Sequence, residues 1–187
     1  MQISWTAPCD GDGWLFDTEA GCRMWDWHPE PDDTVVWSGV SRGGLKHGGK
    51  DLPSEHCAEI ARSFAREGIA VVVPDYRLNP KAKYPEYVDD AAAAAAWTLR
   101  NIARHGGDPR KVFLGGHSAG GYLALLVGFD ESRLRPYGFG LKDVAGIAQV
   151  SGQVFTHYTV REERGLSRYA TSADEAAPAF FVRKALP

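Results

Sequence analysis

The sequence predicts an α/β protein, a mostly parallel sheet with helices on both faces. Three observations carry this. Short continuous apolar runs, above all Ile69-Ala70-Val71-Val72-Val73, have the composition of strands buried on both sides. These runs alternate with longer stretches of helical spacing, as repeated strand–helix units require. And Gly116-His117-Ser118-Ala119-Gly120 lies between one apolar run and an apolar helix, a strand–turn–helix junction.

The elements follow in order. Met1 to Pro31 is rich in Trp, Asp and Gly; Gly13 to Phe16 and Arg23 to Trp27 alternate enough to predict antiparallel strands. Thr34-Val35-Val36-Trp37 is a β-branched strand that runs into Ser38-Gly39. Pro53 to Arg66 places Cys57, Ile60, Ala61 and Phe64 at helical spacing, with Pro53 near its start and Gly68 past its end. After the strand Ile69 to Val73, Tyr84 to Ala103 reads as a long helix with Pro85 in its first turn and Gly106-Gly107 as its stop. Its Ala91 to Ala96 run is low in complexity, but alanine is the best helix former, so it is no linker. Lys111 to Leu114 is a strand, Gly120 to Phe129 a helix, and Val144 to Val150 a fourth parallel strand. Val160 to Pro187 is irregular and charged, with a short helix expected within Asp174 to Lys184. Nothing after Val150 reads as another central strand.

Composition narrows the function classes. The 187 residues suit one domain, 44% are hydrophobic and 24% charged, and the formal net charge is −3. No strongly basic surface follows, which argues against a nucleic-acid partner. No apolar stretch reaches the ~18 residues of a membrane span, and Met1 to Asp17 lacks the pattern of a secretory signal. Three cysteines, Cys9, Cys22 and Cys57, stand at no metal-like spacing. They read as reduced thiols of a cytoplasmic protein, with a Cys9–Cys22 disulfide as the alternative. The histidines do not cluster with carboxylates or thiols, and no phosphate loop or dinucleotide fingerprint occurs. Neither a metal nor another cofactor is expected.

The turn at Ser118 carries the chemistry. A serine nucleophile has to stand on a tight, strained turn above the sheet edge, and glycines two before and two after it let strand and helix pass closely. The helix start supplies free N–H groups and the positive end of the dipole beside Ser118. The Ala119 N–H is then a donor to the oxyanion of a tetrahedral intermediate. A bare G-x-S-x-G is weak; the flanks Val112 to Gly115 and Gly121 to Ala124 supply the required context. The competing reading is Ser118 as a plain helix N-cap.

Several further motifs stand in a definite order: Val71-Val72-Val73-Pro74-Asp75-Tyr76-Arg77-Leu78, Tyr84-Pro85, Asp89-Asp90 with Trp97, Gly106-Gly107-Asp108-Pro109, and Gly116 to Gly121. Together they resemble the esterase/lipase branch of the α/β-hydrolases, the group similar to hormone-sensitive lipase and acetyl esterases, over roughly Thr34 to Leu186. The resemblance implies an α/β-hydrolase fold and a serine hydrolase of small carboxylic esters acting through an acyl-enzyme on Ser118. Amidases such as formamidases share the fold and the nucleophile and form the alternative.

Two departures from that pattern bear on the site. Such enzymes carry His-Gly-Gly after the strand that Thr34 to Trp37 would form; here Ser38 to Gly44 follows, and His47-Gly48-Gly49 comes late. The second oxyanion donor is expected on the backbone of Gly39 and Val40, with His47-Gly48-Gly49 or a bare surface loop as the alternatives. The triad acid and base should follow Ser118 in that chain order. The only later histidine, His157, comes too early in the resemblance to be the base. It is expected on a polar loop as a lid or substrate-contact residue, with surface exposure alone or service as the base as the other readings. His117 is expected to pack away from Ser118, Asp75 and Arg77 to pair with each other or a nearby loop, and Asp89 and Asp90 to suit a helix start. The chain is accordingly read as one incomplete α/β-hydrolase domain over 1–187, lacking the last strands. A catalytically inactive relative is the third reading.

Overall fold

The computed structural model describes residues 76–182 in full, residues 63, 64, 67 and 69–74, and the backbones of three earlier strands. Six strands form one sheet: β1 (Trp14–Asp17), β2 (Cys22–Trp25), β3 (Asp33–Trp37), β4 (Ile69–Pro74), β5 (Val112–His117) and β6 (Gly146–Val150). Their spatial order is β1-β2-β4-β3-β5-β6. β1 and β2 form an antiparallel pair with Trp14 opposite Trp25, and β2 joins β4 antiparallel. β4, β3, β5 and β6 run parallel, with Val35 opposite both Val71 and Phe113. The mostly parallel α/β sheet and the two early antiparallel strands therefore stand as read from the sequence. Pro53 to Arg66 lies mostly outside the described residues.

Three α-helices are described: α1 (Glu86–Asn101), α2 (Ala119–Phe129) and α3 (Tyr158–Glu163). α1 starts just after Pro85, with Glu86 and Asp89 in its first turn against the positive dipole end. It tightens into a 3-10 turn over Ile102–His105 and stops at Gly106, whose φ of 84° suits glycine. Its alanines are nearly all buried and let α2 come close. α2 has no polar face: ten of its eleven residues are buried. A helix apolar all round has to be enclosed, and α2 lies against β5, β6, α1 and a 3-10 turn over Pro178–Phe181. That turn is what the expected helix within Asp174 to Lys184 becomes.

Candidate active site

β5 ends at His117 and α2 begins at Ala119, leaving a single residue to reverse the chain. Ser118 does so at φ 54°, ψ −115°, a left-handed conformation rare for a residue with a side chain. It is exposed, as is His117 before it, while Gly116 and Ala119 are buried. Its N–H donates to the Val150 carbonyl on β6 at 2.8 Å, and its own carbonyl accepts from the Tyr122 N–H at 3.0 Å to open the helix. The Ser118 side chain makes no capping hydrogen bond to α2, so the N-cap reading fails. The hydroxyl stands at the sheet edge with the first N–H groups of α2, which have no partner inside the helix, behind it.

The neighbouring strand repeats this geometry. His117 lies opposite Val150 in the β5–β6 register. The residue after Val150 is Ser151, also exposed and also at φ 54°. Gly152 then passes against α2: a Cβ on Gly152 would lie 2.7 Å from the Gly121 carbonyl carbon. A Cβ on Gly121 would lie 3.0 Å from the Gly116 oxygen and 3.0 Å from the Gly152 Cα. The close pass that motif spacing assigns to Gly116 and Gly120 thus also needs Gly121 and Gly152, which the spacing argument missed. Side-chain periodicity along β6 cannot reveal such a contact; only a Ser-Gly pair at a strand end hints at it.

His157 does not stand on an open polar loop. It is 2% exposed and forms the N-cap of α3, its Nδ1 accepting the Thr159 N–H at 3.1 Å. Its ring lies 5.2 Å from that of Tyr122 and 4.3 Å from that of Tyr158. Burial, with the Arg161 charge second, lowers its pKa from 6.5 to about 4, so the ring is neutral near pH 7. The polar sequence around it misleads because its burial comes from α2, thirty-five residues earlier by Tyr122. His117 is exposed, not packed away, and His105 stacks on Trp97 at 6.0 Å. Gly39, Val40 and His47-Gly48-Gly49 lie outside the described residues, as does Asp75.

The charged residues of the shared motifs hold the frame. Arg77 pairs with Asp90 at 2.8 Å and Glu86 at 3.1 Å, fixing the chain after β4 to the first turns of α1. Asp89 meets Arg133 at 3.0 Å. Glu163 at the end of α3 accepts from Asn79 Nδ2 at 2.8 Å and from the Tyr84 N–H at 2.9 Å. The Tyr122 hydroxyl donates to the Ala176 carbonyl at 2.6 Å, tying α2 to the segment before the last 3-10 turn. Among the described residues no group of three or more His, Cys, Asp or Glu could hold a metal ion, and no helix is long and apolar enough to cross a membrane.

Several known proteins are similar to this chain. Carboxylesterase NlhH of Mycobacterium tuberculosis is 40% identical over 86 residues, covering 46% of this chain and 26% of its own length. Versiconal hemiacetal acetate esterase of Dothistroma septosporum is 33% identical over 134 residues, covering 68% of this chain and 39% of its own. The chain therefore spans well under half the length of these relatives. Among solved structures, Thermogutta terrifontis esterase 2 phosphoramylated by tabun superposes with a TM-score of 0.68 at 21% identity, over 100% of this chain and 68% of that one. A lipase/esterase from Lactobacillus plantarum gives 0.65 at 18%, over 100% and 76%. At such identities the two structures speak for the fold alone. Residues 42–180 match the family described as alpha/beta hydrolase fold, and the chain belongs to that family.

Proposed function

We propose that this chain belongs to a carboxylic ester hydrolase in which Ser118 is the nucleophile. The observation that carries the reading is the exposed serine at φ 54° between a buried strand and a buried helix. Left-handed backbone at a residue with a side chain costs about 1–3 kcal/mol and concentrates where function requires it. In this reading the Ser118 oxygen attacks the ester carbonyl carbon while its proton passes to a general base. The carbonyl oxygen becomes an oxyanion and accepts the Ala119 N–H, backed by the dipole of α2. Collapse releases the alcohol and leaves an acyl-serine, which water cleaves to the carboxylic acid, regenerating Ser118.

β3 ends at Trp37, paired with Gly115 beside the turn, which supports Gly39 and Val40 as the source of the second oxyanion donor. The base and its acid partner are assigned to residues outside those described, because the buried, cap-forming His157 does not suit the task. Small esters are the expected substrates, as the names of the curated relatives suggest.

The test is hydrolysis of p-nitrophenyl acetate by the whole protein, with its general base in place, beside Ser118→Ala. Expected is turnover that falls by about 10³-fold or more in the variant. Equal rates in both proteins would overturn Ser118 as the nucleophile.

A further inference from the structure

We infer that Gly152 is a positioning residue for Ser118: its backbone contact with Gly121 sets where the nucleophile turn stands above the sheet. The inference rests on reading Ser118 as the reacting group.

Three backbone segments meet at this point. Gly116 is in β5, Gly121 in the first turn of α2, and Gly152 just beyond β6. A Cβ at either Gly121 or Gly152 would come within 3.0 Å of main-chain atoms of the other. Main chain cannot swing aside as a side-chain tip can, so any atom added here must move a helix or a strand end. Two hydrogen bonds close the unit. The Ser118 N–H donates to the Val150 carbonyl at 2.8 Å, and the Gly152 N–H donates to Gln149 Oε1 at 2.6 Å. Ser151, at φ 54°, makes the bend that carries the chain from the first bond to the second.

Farther along the same helix, Gly128 provides a contrast. A Cβ there would meet the Ile147 Cδ1 at 2.3 Å, but that atom is the end of a flexible side chain. The α2–β6 interface is therefore rigid near Ser118 and yielding two turns away. Displacing Gly152 from Gly121 moves the Val150 carbonyl, and with it the amide that fixes the backbone of Ser118. A shift of about 1 Å at a reacting group is enough to cost on the order of 10²-fold in rate.

Two measurements on the whole protein, with its general base in place, test this. One is hydrogen exchange of the Ser118 amide, which needs no catalysis. The other is labelling of Ser118 by a fluorophosphonate, followed by intact mass, giving a maximal rate and an apparent KI. Gly152→Ala is expected to speed exchange of the Ser118 amide about tenfold and to slow maximal labelling about tenfold or more, with KI within about threefold. The Leu126 amide, inside α2, should be unchanged. Gly121→Ala should act in the same direction from the other side of the contact. Gln149→Ala removes only the Gly152 N–H acceptor from an exposed position, so it should fold and give a smaller change of the same sign. Gly128→Ala should lower thermal stability and leave both readouts unchanged.

Wild-type exchange and labelling in Gly152→Ala and Gln149→Ala would overturn the inference. So would equal slowing by Gly128→Ala, which would mark the effect as general loss of packing. A whole wild-type protein that takes no label would instead overturn the nucleophile reading, while faster exchange at Ser118 in Gly152→Ala would still support the contact as a lock on the turn.

Discussion

Acidification should unfasten α3 through one side chain. His157 is buried, its Nδ1 accepts the Thr159 N–H, and its pKa is lowered from 6.5 to about 4 by burial first and by Arg161 second, with Glu162 opposing weakly. The unfolded chain takes up this proton near pH 6.5 and the folded chain only near pH 4. His157 therefore withholds no stability above pH 6.5. As pH falls from 6.5 to 4 the unfolded state gains a proton that the folded state refuses, and stability is lost through that window. Each pH step of one between those two values is worth about 1.36 kcal/mol, so the loss approaches about 3 kcal/mol by pH 4. Protonation also converts the acceptor Nδ1 into a donor facing the Thr159 N–H, so the cap is lost with the charge. The assay is urea unfolding at pH 7, 5.5 and 4 for the wild type and His157→Asn. Asparagine keeps a cap acceptor without titrating; the lost contacts with Tyr122 and Tyr158 give an offset independent of pH. Asp108 and Asp174, whose pKa values are also lowered, lose stability in acid in both proteins and cancel in the difference. The wild type should lose about 3 kcal/mol more than the variant between pH 7 and pH 4. Parallel pH profiles would refute the argument.

Other expectations follow from single contacts. Ser118→Gly should raise the thermal midpoint while abolishing hydrolysis, because glycine relieves about 1–3 kcal/mol of left-handed strain; a lower midpoint would contradict this. Tyr122→Phe should cost about 1–3 kcal/mol in urea unfolding, since losing the buried hydroxyl leaves the Ala176 carbonyl without its donor. Glu163→Gln should cost a similar amount, because its new amide group would face the Asn79 Nδ2 and Tyr84 N–H donors. Gly165→Ala should cost about 1 kcal/mol through its φ of 71° alone, since nothing lies within 4 Å of the added methyl.

Local signals carried much of the fold. The apolar runs marked the strands, because buried parallel strands need no alternation. The stop at Gly106-Gly107 marked the end of the α1 region. β5 runs on to His117, past the predicted Leu114, because Gly115 and Gly116 add no apolar weight yet stay in the ladder opposite Trp37 and Gln149. The Ser118 turn was legible because a strand, a serine and a helix adjoin in sequence. What stayed hidden was set by residues distant along the chain. Arg77 pairs with Asp90, thirteen residues on, because α1 brings that carboxylate to it. His157 is buried by Tyr122, and Thr156-His157-Tyr158-Thr159 gives no local sign of that. The Gly121–Gly152 contact depends on how a helix crosses a strand end, and no periodicity encodes it.

The pattern of left-handed residues separates function from folding. Among the described residues, positive φ falls on Gly106, Gly138 and Gly165 and on two serines, Ser118 and Ser151. The three glycines end helical turns, where the backbone demand is met by the residue that meets it with least strain. The two serines follow adjacent parallel strands at one edge of the sheet, each one residue beyond the last register pair, His117 with Val150. Glycine would satisfy their backbone better, and both side chains stand on the exposed surface. α2 can hold Ser118 in place because relaxing its φ would drag Leu123, Leu126 and Val127 out of a fully buried setting. The burial of an entirely apolar helix thus stabilises a backbone state that a serine would otherwise leave. A side chain carried at such a cost, on the exposed edge at the start of α2, is what the proposed role of Ser118 as nucleophile requires and what the fold alone does not.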